Sequence, residues 1–349
     1  MPIGQTKPLL RALGGEALTT PPWWLMRQAG RYLPEYRATR AKARDFIEMC
    51  LTPTVAAELT LQPVRRFRMD GAILFSDILM LPYALGQTLT FRDGEGPILE
   101  PIENHADLSR LEPGRAMTHL EPILDAARRV AEALDTRTAL IGFAGAPWTV
   151  ATYMVEGGGS RDFRRVKAWA YRDPSGFGTL IELLIEGTVA FLAGQMAAGA
   201  EVVQLFDSWA GILHERAFER WVIEPTRRIV AALKRRFPNH PIIGFPRGAG
   251  LLYERYVRET GIDGVGLDTG VPAGYARAQL QPLATVQGNL DPVLLVAGGA
   301  ALETAVKELC RTLGSGPFVF NLGHGVLPET PPENVETLAS LLAGANAVT

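Results

Sequence analysis

The chain has 349 residues, 47% of them hydrophobic, which is ample for a large core, and 35 Lys and Arg against 37 Asp and Glu leave a net charge of −2. That balance excludes a global positive field for nucleic acid or a membrane surface, so any anion site must be a local gathering of arginine and lysine. The two cysteines, Cys50 and Cys310, lie far apart in helix-like surroundings, which excludes a disulfide framework and fits a reducing cytosol.

In chain order, the N-terminal stretch MPIGQTKPLLRALGG lacks the apolar core of a signal peptide. After it, short apolar runs recur, each ending in glycine or polar residues: WWLMRQAG, AILFSDIL, LIGFAGAPW, VVQLFDS, IIGFPRG, GVGLDTG, ATVQGNLD and FVFNLGHG. Each is short enough for a buried parallel strand. Helical stretches separate most of them, among them TPTVAAELTLQPVRRF, LEPILDAARRVAEAL, RAFERWVIEPTRRIVAALKRRF and GAALETAVKELCRTL. The greasiest window, TLIELLIEGTVAFLAGQMAAGA, carries Glu182 and Glu186 and reads as a buried helix of a soluble cytoplasmic protein, not a membrane span. Alternating strands and helices imply a parallel α/β sheet. About eight such units over this length favour one closed (β/α)8 TIM barrel spanning 1–349, with an open doubly wound sheet second.

In such barrels the site lies at the C-terminal strand ends. Here those ends carry Arg27, Gln28, Asp77, Asp207, Ser208, Arg247, Asp268, Asn289, Asn321 and His324. Glycines accompany them, among them Gly30, Gly145, Gly211, Gly248, Gly270 and Gly325. The stretch PPWWLMRQAGRYLPEYR therefore reads as a first strand that delivers Arg27 and Arg31 into the barrel mouth.

MRQAGRYLPEYR and GFAGAPWTVATYMVEGGGS, with FSDIL, LFDSWAG and NLGHG in order, resemble blocks of the uroporphyrinogen decarboxylase family over nearly the whole chain. The resemblance implies a single-domain barrel that forms a homodimer. It also implies a cofactor-free reaction in which the four acetates of uroporphyrinogen III become methyls, giving coproporphyrinogen III and carbon dioxide. The substrate would be a tetrapyrrole octa-acid, and no nucleic acid, membrane or metal would take part.

Each candidate residue has two readings. Arg27 and Arg31 would hold substrate carboxylates, since arginine stays charged and can fork two donors onto one carboxylate. The amides around Gln28, Ala29 and Gly30 would take carboxylates as well. The bland alternative pairs both arginines with acids such as Glu35. Arg37 and Arg40 are ambiguous between salt-bridged helix residues and substrate contacts, with the resemblance pointing to Arg40.

Asp77 follows a run of apolar residues, and burying it there is costly without partners. It reads either as a helix N-cap or, by the resemblance, as the group that accepts the pyrrole NH groups and stabilises cationic charge on the ring. Tyr153 is either a core aromatic or a donor to a substrate carboxylate that also positions Asp77. Trp148 and Asp207 read as structural. Phe206 reads as an apolar wall or strand core, and Ser208 as a helix cap or a carboxylate contact.

His324, between Gly323 and Gly325, is structural or, by the resemblance, a carboxylate contact. The glycines at 157–159 read as a mobile loop over the site, since no lysine follows in phosphate-loop register. A zinc-dependent methyl transferase on a similar barrel needs a His-x-Cys pair that is missing here. A tetrapyrrole carrier would keep the arginines without needing Asp77, and a serine hydrolase lacks its G-x-S-x-G elbow.

Overall fold

Seven of the eight expected runs are strands in the computed structural model, which describes residues 7–92 and 96–344. The first six residues of the N-terminal stretch, and the last five of the expected single domain, lie outside the described residues. In chain order the strands are β1 (Gly71–Ile73), β2 (Leu89–Arg92), β3 (Gly96–Leu99), β4 (Ala139–Gly145), β5 (Val202–Asp207), β6 (Ile242–Pro246), β7 (Gly264–Gly266), β8 (Thr285–Leu290) and β9 (Phe318–Leu322). β1 and β4 to β9 form one parallel sheet in the order β1-β4-β5-β6-β7-β8-β9. Successive strands lie side by side because each helical crossover returns the chain to the next position. The antiparallel ribbon β2-β3 is separate, and the sequence reading did not anticipate it.

The eighth run, WWLMRQAG, is not an extended strand. Trp23 makes one isolated parallel bridge to Phe320 on β9. Phe320 N–H donates to Pro22 O at 2.9 Å and Trp24 N–H to Phe320 O at 3.4 Å, while on the other side Asp70 N–H donates to Trp23 O at 2.9 Å. Pro21 and Pro22 have no N–H, so the ladder cannot run further back. It cannot run forward either, because Met26 N–H goes to Asn321 Oδ1 at 3.0 Å and Leu25 N–H to Gln28 Oε1 at 3.2 Å. The segment nonetheless touches both edges of the seven-strand sheet, so the sheet is curled.

The curl encloses its own core. Ile141 and Phe143 of β4 point inward, to Trp24, Met26, Ile243, Phe245 and Val319, while Leu140 and Ala144 join the outer core beneath the helices. This is the period-two alternation of a strand packed on both faces. Inside the curl, Gln287 on β8 donates to Gln204 on β5 at 3.0 Å, and Trp24 Nε1 donates to Gln287 at 2.9 Å. Buried amides demand such partners, and only a curved sheet brings them together.

The helix Pro8–Leu13 lies across the N-terminal strand ends: Leu13 packs on Gly264, and Thr285 Oγ1 donates to Ala12 O at 2.7 Å. One end of the curl is thereby covered. The opposite end, at the C-terminal strand ends, is the mouth of the curl.

The expected helices are present as Pro53–Phe67, Ala116–Ala133, a continuous helical stretch through Glu224–Arg236, and Gly299–Leu313. Cys50 and Cys310 are free thiols within helices, as expected. Pro174–Ala197 is the one described helix long and apolar enough to cross a membrane. It buries Phe177, Leu180, Leu184 and Leu192, and its Gln195 exchanges two 2.9 Å hydrogen bonds with the Phe143 backbone. A helix bonded to a strand in this way is a core helix.

Candidate active site

The turn after Met26 places the first arginine. Arg27 has φ of 61°, a left-handed conformation that costs a non-glycine residue about 1–2 kcal/mol. Hydrogen bonds on both sides hold it there. Gln28 N–H donates to Leu25 O at 3.0 Å, Val326 N–H donates to Met26 O at 2.8 Å, and Asn321 takes Met26 N–H. Gly325 leaves room for the side chain, since a Cβ there would stand 2.5 Å from Arg27 Cδ and 2.7 Å from Cγ. Strain over-determined by its surroundings is characteristic of functional positions.

Arg27 and Arg31 are exposed, and neither forms an ion pair among the described residues. The surface-pair alternative fails on a specific contact, because Glu35 pairs with Arg66 at 3.3 Å. The N–H groups of Ala29 and Gly30 likewise have no protein acceptor among the described residues. Arg37 is tied to the backbone, its Nη1 donating to Arg31 O at 2.7 Å and Tyr32 O at 3.1 Å. Arg40 lies beside the Tyr36 hydroxyl.

Gln28 is a correction. It is fully buried, accepts from Leu25 N–H, and donates to Gly71 O at 3.1 Å. Its side chain fastens the 22–26 segment to β1 and does not face the mouth.

Asp77 lies just ahead of a short helix. Its Oδ1 accepts Leu79 N–H at 2.9 Å, just ahead of the helix Met80–Ala84, so it does organise a helix start. The residue is half-buried and forms no ion pair, and its Oδ2 accepts no hydrogen bond among the described residues. Burial pushes its pKa up to about 6, while Leu79 N–H and Arg27 pull it down, so the group is a carboxylate at neutral pH.

Around it stand residues from four more crossings. Tyr153, on the helix Pro147–Glu156, has its phenol pKa raised by burial; Trp209 opposes this, Asp77 adds to it, and Arg27 and Arg247 oppose it. Asp77, Arg27, Arg247 and Trp209 therefore all lie near the Tyr153 phenol. Ser208 is not a helix cap: its hydroxyl has no hydrogen bond among the described residues, and the residue is half-buried.

His324 is held neutral. Burial lowers its pKa to about 4, Arg247 and Arg27 push the same way, and Asp268 opposes them. Neither ring nitrogen has a hydrogen-bond partner among the described residues, so the structural-histidine reading lacks its bonds. As a neutral imidazole it can still donate one N–H to a carboxylate.

Beneath these groups lies an aromatic floor. Half-buried Phe206 meets Phe143 edge-on at 5.5 Å and Phe245 at 6.0 Å.

The other strand-end polar residues belong to the frame. Asn321 and Asn289 bond backbone, the latter donating to Asp268 O at 2.7 Å and Val271 O at 2.8 Å. Asp268 accepts from Gly248 N–H, Tyr253 and Gly270 N–H. Asp207 accepts from Thr149 at 2.5 Å, and its buried Oδ2 has no partner; burial pushes its pKa up to about 7. Trp148 is structural, fully buried with Nε1 on Trp209 O.

The glycine run is a second correction. Leu99 N–H donates to Gly157 O at 3.0 Å and Ile98 bridges Gly158, so the run is pinned to the β2-β3 ribbon and is no free flap. No cluster of three or more His, Cys, Asp or Glu side chains suited to a metal occurs among the described residues.

The family match and the curated relatives name one family. Residues 5–343 match the family described as uroporphyrinogen decarboxylase (URO-D). A uroporphyrinogen decarboxylase of Rhodospirillum rubrum is 57% identical over 342 residues, covering 98% of each chain. One from Granulibacter bethesdensis is 52% identical over 339 residues, covering 96% of this chain and 98% of its own. Among solved structures, a methyltransferase from Methanosarcina mazei superposes with a TM-score of 0.80 at 18% identity over 97% of both chains. A B12-independent methionine synthase from a Shewanella species does so with 0.56 at 11% identity, over 85% of this chain and 87% of its own. At such identities these two likenesses concern the fold alone.

Proposed function

The chain belongs to the uroporphyrinogen decarboxylase family, and from that premise we propose that it converts the four acetate side chains of uroporphyrinogen III to methyls, giving coproporphyrinogen III and carbon dioxide. One observation carries the site assignment. Asp77, Arg27 and Arg247 all lie close enough to Tyr153 to act on its phenol, both arginines act on His324 as well, and neither Arg27 nor Arg31 forms an ion pair among the described residues. Cations not held in ion pairs by protein acids suit a substrate that brings its own.

Loss of carbon dioxide from a pyrrole acetate needs an electron sink. Protonation of the adjacent ring α-carbon supplies one, as an iminium-like cation. The bond to the carboxylate then breaks, and its electron pair neutralises the ring. The exocyclic carbon takes a proton, the ring carbon gives one up, and a methyl remains. Each cycle consumes one proton and one carboxylate. The protonated ring is the sink, so the reaction in this reading uses no cofactor.

Asp77 accepts the pyrrole NH groups and stabilises the cation. At about 4 Å and an effective dielectric near 20 this is worth about 4 kcal/mol, or about a thousandfold in rate when realised mainly in the transition state. Arg27, Arg31, the amides of Ala29 and Gly30, Tyr153, Ser208 and His324 hold carboxylates. The Phe206 floor takes the apolar face of the macrocycle.

In this reading the chain is one domain, a (β/α)8 barrel whose eighth stave is the 22–26 segment. Its hydrogen bonds to β9 and to Asp70 support that. A homodimer with facing mouths is consistent with two large exposed apolar residues just beyond strand ends on the mouth side, Leu251 (90% exposed) and Val293 (59%). The free thiols support a cytoplasmic location.

The test is anaerobic incubation with uroporphyrinogen III, for wild type and Asp77→Asn, with products separated by carboxylate number. Stepwise loss of four carboxylates by wild type, and loss of about a thousandfold in rate by the variant, is the expected outcome. Tight binding without turnover by wild type would identify a carrier instead. A folded, fully active Asp77→Asn would overturn the cation-stabilising role while leaving the reaction.

A further inference from the structure

We propose that Arg247 is a further substrate-binding residue, a guanidinium on the wall facing Arg27 that holds a substrate carboxylate from the far side of the macrocycle. The proposal rests on the decarboxylase reading above. Its first support is position. In the order 22–26 segment, β1, β4, β5, β6, β7, β8, β9, the strand leading to Arg247 is four steps from the segment leading to Arg27, whichever way the curl is followed. Yet both arginines lie close enough to Tyr153 and to His324 for their charges to lower the pKa of each.

The second support is the absence of a protein use for the charge. The acids at the ends of the two flanking strands are committed or enclosed. Asp268 is filled by Gly248 N–H, Tyr253 and Gly270 N–H, and Asp207 is buried below with Thr149. The Arg247 side chain has no hydrogen bond or ion pair among the described residues.

The third is a backbone built to hold the residue. Arg247 N–H donates to Asp207 O at 3.1 Å and Arg247 O accepts Gly211 N–H at 3.0 Å. Gly248 has φ of 76°, and a Cβ on Gly211 would fall 2.3 Å from Gly248 O, so the two loops touch only because both residues are glycine. A half-buried, unpaired guanidinium on so fixed a turn is a preorganised anion contact.

Opposed arginines would fix the octa-acid at both rims and leave the ring centre to Asp77. The experiment is steady-state decarboxylation of uroporphyrinogen III by wild type, Arg247→Gln and Arg247→Lys, at low and high salt. Loss of one charge-assisted contact raises KM about tenfold in Arg247→Gln, with kcat little changed and a shallower salt dependence than wild type. Arg247→Lys falls in between, since it keeps the charge and loses the fork, and it carries the same test if the glutamine variant does not fold. An active wild type with unchanged KM and salt dependence in both variants overturns the role of Arg247 alone. A wild type that does not decarboxylate the substrate overturns the underlying reading and this proposal with it.

Discussion

Gly325→Ala separates the placement of Arg27 from its charge. The substitution adds one methyl and no strain of its own, because Gly325 is not in the left-handed region. Its Cβ would meet Arg27 Cδ at 2.5 Å, Cγ at 2.7 Å and Cβ at 3.1 Å. Ordinary carbon contacts are about 3.5–4.0 Å, so the stem must move by about 1 Å. The Arg27 backbone cannot supply that movement, since Gln28, Asn321 and Val326 fix both flanks. The displacement therefore passes to the guanidinium. Misplacing a positioning group by about 1 Å costs about a hundredfold in rate, or about 2.7 kcal/mol. Overpacking in a closed core would add about 1–3 kcal/mol of instability, but Arg27 is exposed and its far end can swing into the mouth. The expected result is a fall in kcat/KM of about ten- to a hundredfold with a melting temperature within a few degrees of wild type. A double variant with Arg27→Gln should be no worse than Arg27→Gln alone, because the two changes act through one side chain. Full activity of Gly325→Ala, or strict additivity with Arg27→Gln, would refute the reasoning that Gly325 aims Arg27 at substrate.

Two further outcomes concern the frame. Asp207 has its pKa raised from 3.8 to about 7, so its contribution to stability is fully present below about pH 3.8 and is lost as pH rises through about 7. A change of that size corresponds to about 4 kcal/mol. Urea unfolding should therefore show wild type losing stability relative to Asp207→Asn between pH 5 and pH 8, and parallel pH profiles for the two proteins would contradict the assignment. Gln28→Ala leaves Leu25 N–H and Gly71 O without their buried partner and should destabilise the protein by about 2–5 kcal/mol. The same unfolding measurement checks this, and an unchanged midpoint would mean that the 22–26 segment is held by other bonds.

Most of the architecture was legible from the sequence because it is written locally. The helices Pro53–Phe67 and Gly299–Leu313 fall within a residue of the stretches whose apolar spacing predicted them. Seven apolar runs became strands for the same reason, since a buried parallel strand must be apolar on both faces. The candidate acid and cations were visible as polar residues ending apolar runs, and family motifs sharpened them. Arg247 was visible only as one strand-end residue among ten.

What the tertiary structure decided is which of those ten face the mouth. Gln28, Asn289, Asn321 and Asp268 have the same local signature as Arg27 and His324, yet partners from other parts of the chain bond them: Gly71 for Gln28, Met26 for the Asn321 oxygen, Val271 for Asn289 and Tyr253 for Asp268. The same holds for the glycine run, which no local signal ties to the β2-β3 ribbon. Whether a buried polar group is structural or functional depends on whether a partner reaches it, and that is settled only when segments far apart in sequence close around it.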